Sequence, residues 1–283
     1  MNQKFPIPLI KEDRISKLVE AMKCIDSYPY DRDKQRICIL RLYPDKTEKS
    51  VFRGMIVPTL RYLGLIVGYG KGIRLSSNGK ITIEGKKKGK EEALRVLQTV
   101  FLEIDKKTFG FVETLKENKK VTVDNFFELI CWKSEEMPKR QKKERTKRWL
   151  RALEGCELIQ FEEKPFIKLD EKNYENAEEE LNAKTKSRLF KRILFEKYNS
   201  LPLHETAGIV DIPLLRELVA MGFYGNHNMI LTEFQFDQLL QNLPHVTDDY
   251  VISLGQPMGA EEKLFHYKGN YYRTLSVTFF KKK

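Results

Sequence analysis

Three stretches of this 283-residue sequence each run from amphipathic helices into a short hairpin. Together they predict an α+β, mostly helical chain of tandem winged-helix domains, each a helix-turn-helix followed by a β-hairpin. The first stretch covers residues 14–85, the second 121–170 and the third 188–277. Two composition facts support a folded, multi-domain chain. Hydrophobic residues make up 41%, enough for real cores, and the length suits two or three domains. Boundaries are expected at 1–120 (a winged-helix domain with a connecting helix), 121–170 (a second unit with a basic helix) and 171–283 (a third, near-neutral domain suited to packing or a partner).

In chain order, residues 1–13 read as an extended arm carrying Pro6 and Pro8. Arg14 to Cys24 suits a helix that buries Ile15, Leu18, Val19 and Met22, because those positions share one face at helical spacing. Asp33 to Leu42 is a second helix, with Asp33 as its expected N-cap. Thr47 caps a third, EKSVFRGMIVPTLRYLGLIVG, in which Pro58 should kink or divide the helix. Val51, Met55 and Tyr62 lie on its inner side, and Lys49 and Arg53 on its outer side. The chain leaves through Gly64 into an extended segment, turns at Gly68, Gly70 and Gly72, and continues into IRLSSNGKITIEG, read as strand and turn. This GxGxG does not open a helix, so it is no dinucleotide fingerprint.

Lys86 to Lys90 (KKKGK) reads as a basic turn before a long helix from Glu91 to about Ile104. Val123 to Trp132 suits a helix with Phe126 and Phe127 as core. Then comes Met137 to Gly155, MPKRQKKERTKRWLRALEG. Between Lys139 and Arg151 it holds eight basic residues and one acid, Glu144. Thr146, Trp149, Leu150 and Leu153 form a buried stripe, and Gly155 is the expected stop. CELIQFEEKPFIKLD supplies two short strands around Glu163, Lys164 and Pro165. Taken alone, such a run is also what a solvated charged face looks like. A packed basic helix followed by a hairpin is how a winged helix presents its reading helix to a DNA major groove.

Residues 171–186 are polar and acidic, read as a linker or exposed helix. Asp211 and Pro213 mark a helix start and Gly222 its end. Thr232 and Gln235 form a T-x-x-Q capping box before Phe236, Leu239, Leu240 and Leu243. Tyr250 to Leu254 and Tyr271 to Val277 alternate like strands, with Lys268-Gly269-Asn270 as a turn.

The net charge of +11 points to an anionic partner, nucleic acid first. It is unevenly placed. Residues 1–120 hold 26 basic and 15 acidic residues, 121–170 hold 11 and 10, and 171–283 hold 14 and 15. The DNA-binding candidates are therefore Lys49, Arg53, Tyr69, Lys71 and Arg74 in the first unit. In the second they are Lys139, Arg140, Lys142, Lys143, Arg145, Lys147, Arg148 and Arg151. Arginines such as Arg145 and Arg148 suit base edges, and lysines such as Lys142 and Lys147 suit phosphates. No apolar run reaches membrane-spanning length, the N-terminus lacks a signal-peptide core, and the four cysteines form no CxxC pair, so a reducing cytoplasm is expected.

The segment EKSVFRGMIVPTLRYLGLIVGYGKGIRLSSNGK resembles a helix–hairpin segment in the DNA-recognition regions of FokI-like type IIS restriction endonucleases. The matching residues are Leu63, Gly64, Leu65, Ile66, Gly79 and Lys80. RTKRWLRALEGCELIQFEEKPFIKL has the same layout, with Leu153, Glu154 and Gly155 at the helix exit. The resemblance implies sequence-specific binding of double-stranded DNA. The chain would be the recognition module or subunit of a restriction or other DNA-processing system. A separate nuclease or methyltransferase subunit, or a second copy of the chain, would be its partner. A transcription regulator and a plasmid-type replication initiator share that fold. An enzyme is the alternative of another class: a metal-dependent endonuclease with a divergent site.

Such a nuclease needs a strand acid followed by D/E-x-K. Glu162-Glu163-Lys164 and Asp105-Lys106-Lys107 match only the short half, so no catalytic residue, metal ligand or cofactor is assigned. His204, His227, His245 and His266 show no metal-ligand spacing, and no P-loop is present.

Overall fold

The computed structural model describes residues 10–68, 72–108, 110–118, 120–129, 138–162, 166–204, 207–257 and 263–280. The chain is α+β and mostly helical, with small sheets. It divides into two compact units, Met1–Leu181 and Asn182–Lys283. Boundaries were expected after 120 and after 170. The chain divides once instead, eleven residues beyond the second of these. No helix among the described residues is long and apolar enough to cross a membrane.

Unit 1 begins with α1 (Ile15–Ser27) and α2 (Arg32–Leu40). The buried face of α1 is the one its spacing predicts, with Leu18 and Met22 fully enclosed. Asp31, not Asp33, caps α2: its carboxylate accepts from the Lys34 amide, and Asp33 sits in the first turn. Wide π-type turns over Lys49–Ile56 run into α3 (Val57–Tyr62), with Pro58 in the first turn of α3. The proline thus divides the segment as expected, since its ring occupies the space of the carbonyl one turn back. Strands β1 (Ile66–Val67) and β2 (Arg74–Leu75) pair antiparallel, Ile66 opposite Leu75.

Beyond β2 the chain departs from the expected strand. Ser76 accepts from the Gly79 amide and caps a helix, α4 (Ser77–Lys88). Gly79 is needed there because a Cβ would lie 2.1 Å from the Leu65 carbonyl oxygen. The alternation of ITIE suggested a strand, but the serine cap and the close approach of the glycine to Leu65 give the first turn of a helix instead. Gly89, at φ 154°, then turns the chain into α5 (Lys90–Thr108). Two cysteines also depart from expectation. Cys24 of α1 and Cys38 of α2 form a disulfide, their Cα atoms 5.7 Å apart. No CxxC spacing announces it, because neighbouring helices supply the two halves. Cys156 is a buried free thiol.

The second half of unit 1 holds α6 (Phe111–Asn118), β3 (Lys120–Thr122), α7 (Val123–Leu129), α8 (Lys139–Gly155), β4 (Ile159–Glu162) and β5 (Phe166–Leu169). The three strands are antiparallel in the order β3-β5-β4, so the last strand lies between the other two. Residues Glu171–Glu180, read as a linker or exposed helix, form α9, which packs on α5. Lys106 binds Glu178 and, at 3.2 Å, Glu113, while Arg95 binds Glu180. The acidic helix therefore covers basic surface of its own unit. Counted to Leu181, unit 1 carries 38 basic and 30 acidic residues, and unit 2 carries 13 and 10. The near-neutral character expected of the last third belonged largely to α9.

Unit 2 repeats the order helix, strand, helix, helix, hairpin. It comprises α10 (Ala183–Asn199), β6 (Val210–Asp211), α11 (Ile212–His227), α12 (Glu233–Asn242), β7 (Tyr250–Gly255) and β10 (Thr274–Phe279). A small hairpin, β8 (Phe265–Tyr267) with β9 (Asn270–Tyr272), lies between the last two. The sheet order is β6-β10-β7, again with the last strand in the middle. The expected capping box is present: Thr232 accepts from the Gln235 amide at 3.2 Å, and Gln235 accepts from Thr232 at 3.1 Å. Gly222 does not end α11. It sits inside the helix, where a Cβ would meet Ile193 and Lys197 of α10 at 3.0 and 2.9 Å, and the helix ends at Asn228 in the left-handed conformation.

Candidate nucleic-acid interface

Helix α8 carries most of the candidate residues, and its inner face explains how they are held. Thr146, Trp149, Leu150 and Leu153 are buried, as their spacing requires. The Trp149 ring stacks on Phe101 of α5 at 5.3 Å. Its indole Nε1 donates to Asp105 Oδ1 at 2.8 Å, while the Val112 amide of α6 donates to Asp105 Oδ2 at 2.8 Å. One carboxyl thus ties α5, α6 and α8 together. Burial pushes Asp105 up to about 7, against the pull of the Val112 amide, the Trp149 indole and the Phe111 amide. Asp105 opens one of the two D/E-x-K matches, and this position in the core makes it structural. In the other match Glu162 pairs with Lys168, and Glu163 and Lys164 lie outside the described residues. Among the described residues no group of three or more His, Cys, Asp or Glu could hold a metal ion.

The outer face of α8 is less uniformly free than its sequence suggests. Lys143 pairs with Asp124 of α7 and lowers that carboxyl below its ordinary range. Lys139 stands 5.9 Å over the Phe127 ring. Arg148 reaches Glu144 at 3.5 Å, and Arg151 reaches Asp13 at 3.6 Å. Lys142 is half-buried and its carbonyl accepts from Thr146. Arg140, Arg145 and Lys147 make no ion pair with any described residue, and Arg140 and Lys147 are exposed. In the first half of unit 1, Lys49 and Arg53 are exposed on the π-type turns, one turn apart, as predicted. Arg74 is half-buried within β2. Tyr69 and Lys71 lie outside the described residues.

Sequence reasoning gave an extended arm over residues 1–13 but not its contacts, which join the two halves. The backbone amides of Lys11 and Glu12 both donate to Thr59 Oγ1 of α3, at 3.0 and 3.3 Å. The Glu12 carboxylate is buried. It accepts from the Arg14 guanidinium at 2.8 Å on each oxygen and from the Tyr43 hydroxyl. Burial raises the Glu12 carboxyl, but the Arg14 and Tyr43 hydrogen bonds outweigh it and leave it below the ordinary range. Its neighbour Asp13 meets Arg151 of α8. A segment without periodicity gives no such contacts away, and the charged run Lys11–Glu12–Asp13–Arg14 is the one signal that could have pointed to them.

In unit 2 the helix that precedes the hairpin is α12, and it carries no basic residue. Its two acids are engaged: Asp237 holds Arg216 at 2.7 and 2.8 Å, and Glu233 holds Lys263.

No family model, curated protein or solved structure matches the chain.

Proposed function

We propose that this protein binds double-stranded DNA sequence-specifically through unit 1, as the recognition module or subunit of a restriction or other DNA-processing system. In this reading residues 111–169 and 183–279 are winged helices. Their common order of helix, strand, helix, helix and hairpin supports this, as does the last strand lying between the first two in each sheet. Residues 15–75 are a third, with two-stranded β1–β2 as its wing.

The observation that carries the reading is the two-faced character of α8. One face is fixed by Trp149 and Asp105. The other presents Arg140, Arg145 and Lys147, which make no ion pair with any described residue. Cations on a helix anchored by its inner face suit a groove, because arginine pairs in bidentate fashion with guanine and lysine neutralises phosphate. The test is selection of bound sites from random duplex DNA, followed by titration of the preferred and scrambled duplexes at several salt concentrations. Enrichment of one site with tighter binding than its scrambled form is expected. Equal affinity for all sequences would reduce the role to general DNA binding, and no binding would end it.

A further inference from the structure

We infer that the cleft between the N-terminal arm and α8 takes a single backbone strand of the bound duplex, with Lys11 as a phosphate contact facing the helix. This deepens the duplex-binding reading above and rests on it. The cleft has a volume of about 770 Å³ and is lined by Ile10, Lys11, Arg140, Gln141, Glu144, Arg145 and Arg148. Four of those seven side chains are cations and one is an acid, and Glu144 is already paired with Arg148. The helical wall from Arg140 to Arg148 is about 12 Å long at 1.5 Å per residue.

The opposite wall is held firmly. The Lys11 amide is tied to Thr59, and the next residue is the buried Glu12 with its Arg14 and Tyr43 partners. Asp13, two residues after Lys11, pairs with Arg151 of α8 and ties the arm to that helix. Lys11 itself is exposed and makes no ion pair with any described residue. A rigid, open, cation-lined channel next to the reading helix fits a chain of phosphodiesters. Among the described residues the lining has no aromatic ring, whereas a single strand is held chiefly by bases stacked on aromatic side chains, so a duplex is the better match.

The experiment measures binding of the full chain to its preferred duplex, a scrambled duplex and a single strand of equal length, across salt concentrations, for the parent, Lys11→Gln, Lys11→Glu and Arg145→Ala. Losing one phosphate contact should reduce the slope of log affinity against log salt by about 0.9. Lys11→Gln is expected to do this and to weaken both duplexes by the same factor. Lys11→Glu should weaken them further, and the single strand should compete poorly. Lys11 is exposed, so both variants should unfold at the parent's denaturant midpoint. If Lys11→Gln and Lys11→Glu bind with the parent's slope while Arg145→Ala loses affinity, the arm is not a contact and only the duplex reading survives. If the single strand binds as tightly as the duplex, the cleft holds a different ligand from the one named. If the parent binds no duplex, both readings fall.

Discussion

Helices α8 and α12 occupy the same place in the same order of elements, each leading into a hairpin, yet their outer faces have opposite chemistry. Between Lys139 and Gly155, α8 carries eight basic and two acidic residues, whereas α12 carries two acids and no base. The acids of α12 are spent inside unit 2, on Arg216 and Lys263. Of the cations of α8, Lys143, Arg148 and Arg151 pair with described acids. A shared topology therefore sets where a helix lies, and the side chains it leaves unpaired set what it can meet. In the function proposed above, α8 is the helix that meets an anionic groove and α12 is not.

The largest expected effect tests whether α8 is rigid. Trp149→Ala should cost about 3–5 kcal/mol of stability in urea unfolding, from lost packing on Phe101 and an unmatched Asp105. A loss under about 1 kcal/mol would mean that α8 is not held by its inner face.

Next comes the pH dependence of the same carboxyl. Its folded pKa of about 7 lies above the ordinary value of 3.8, so the folded state binds the extra proton between those limits. Stability carried by the neutral carboxyl is complete below about pH 4. It is lost progressively as the pH rises through about 7, by about 4 kcal/mol in all. Asp105→Asn, which cannot ionise, should flatten that part of the stability–pH curve. An unchanged curve would mean that Asp105 does not set this dependence.

The Cys24–Cys38 bridge closes a separation of 14 residues, for which loop-closure entropy gives about 3 kcal/mol. Reduction, or the double change Cys24→Ser and Cys38→Ser, should lower the stability of the first unit by that order. Thiol labelling of the unreduced protein under denaturant should find Cys24 and Cys38 protected.

A smaller effect compares the two helices directly. Arg148→Ala should weaken the preferred duplex by about 1–3 kcal/mol and leave scrambled DNA nearly unaffected, and Lys147→Ala should weaken both alike. The smallest effect belongs to α12. Gln238→Ala with Gln241→Ala should leave duplex affinity and salt slope unchanged. If that pair of changes costs as much as Arg148→Ala, the contrast between the units fails.

The sequence by itself determined several parts of this arrangement. Trp149 as core, Pro58 as a divider, the Thr232–Gln235 box and the β4–β5 hairpin all follow from local rules, namely helical spacing, a missing amide, a reciprocal cap and strand alternation. These signals span a few residues and carry their own geometry. They also located the cations of α8, because charge is written in the sequence.

Only the tertiary structure decided which of those cations meet acids. Asp124, Asp13 and Glu144 pair with Lys143, Arg151 and Arg148, and two of those acids come from other segments. Tertiary contact also made a helix of Ser77–Lys88, through the approach of Gly79 to Leu65, and drew α9 onto α5 as a charge-covering layer. It paired Cys24 with Cys38 and set Lys11 across from α8. The physical reason is common to all of these. Pairing, burial and close approach depend on residues distant in sequence, and spacing along one segment carries no information about what another segment will bring to it.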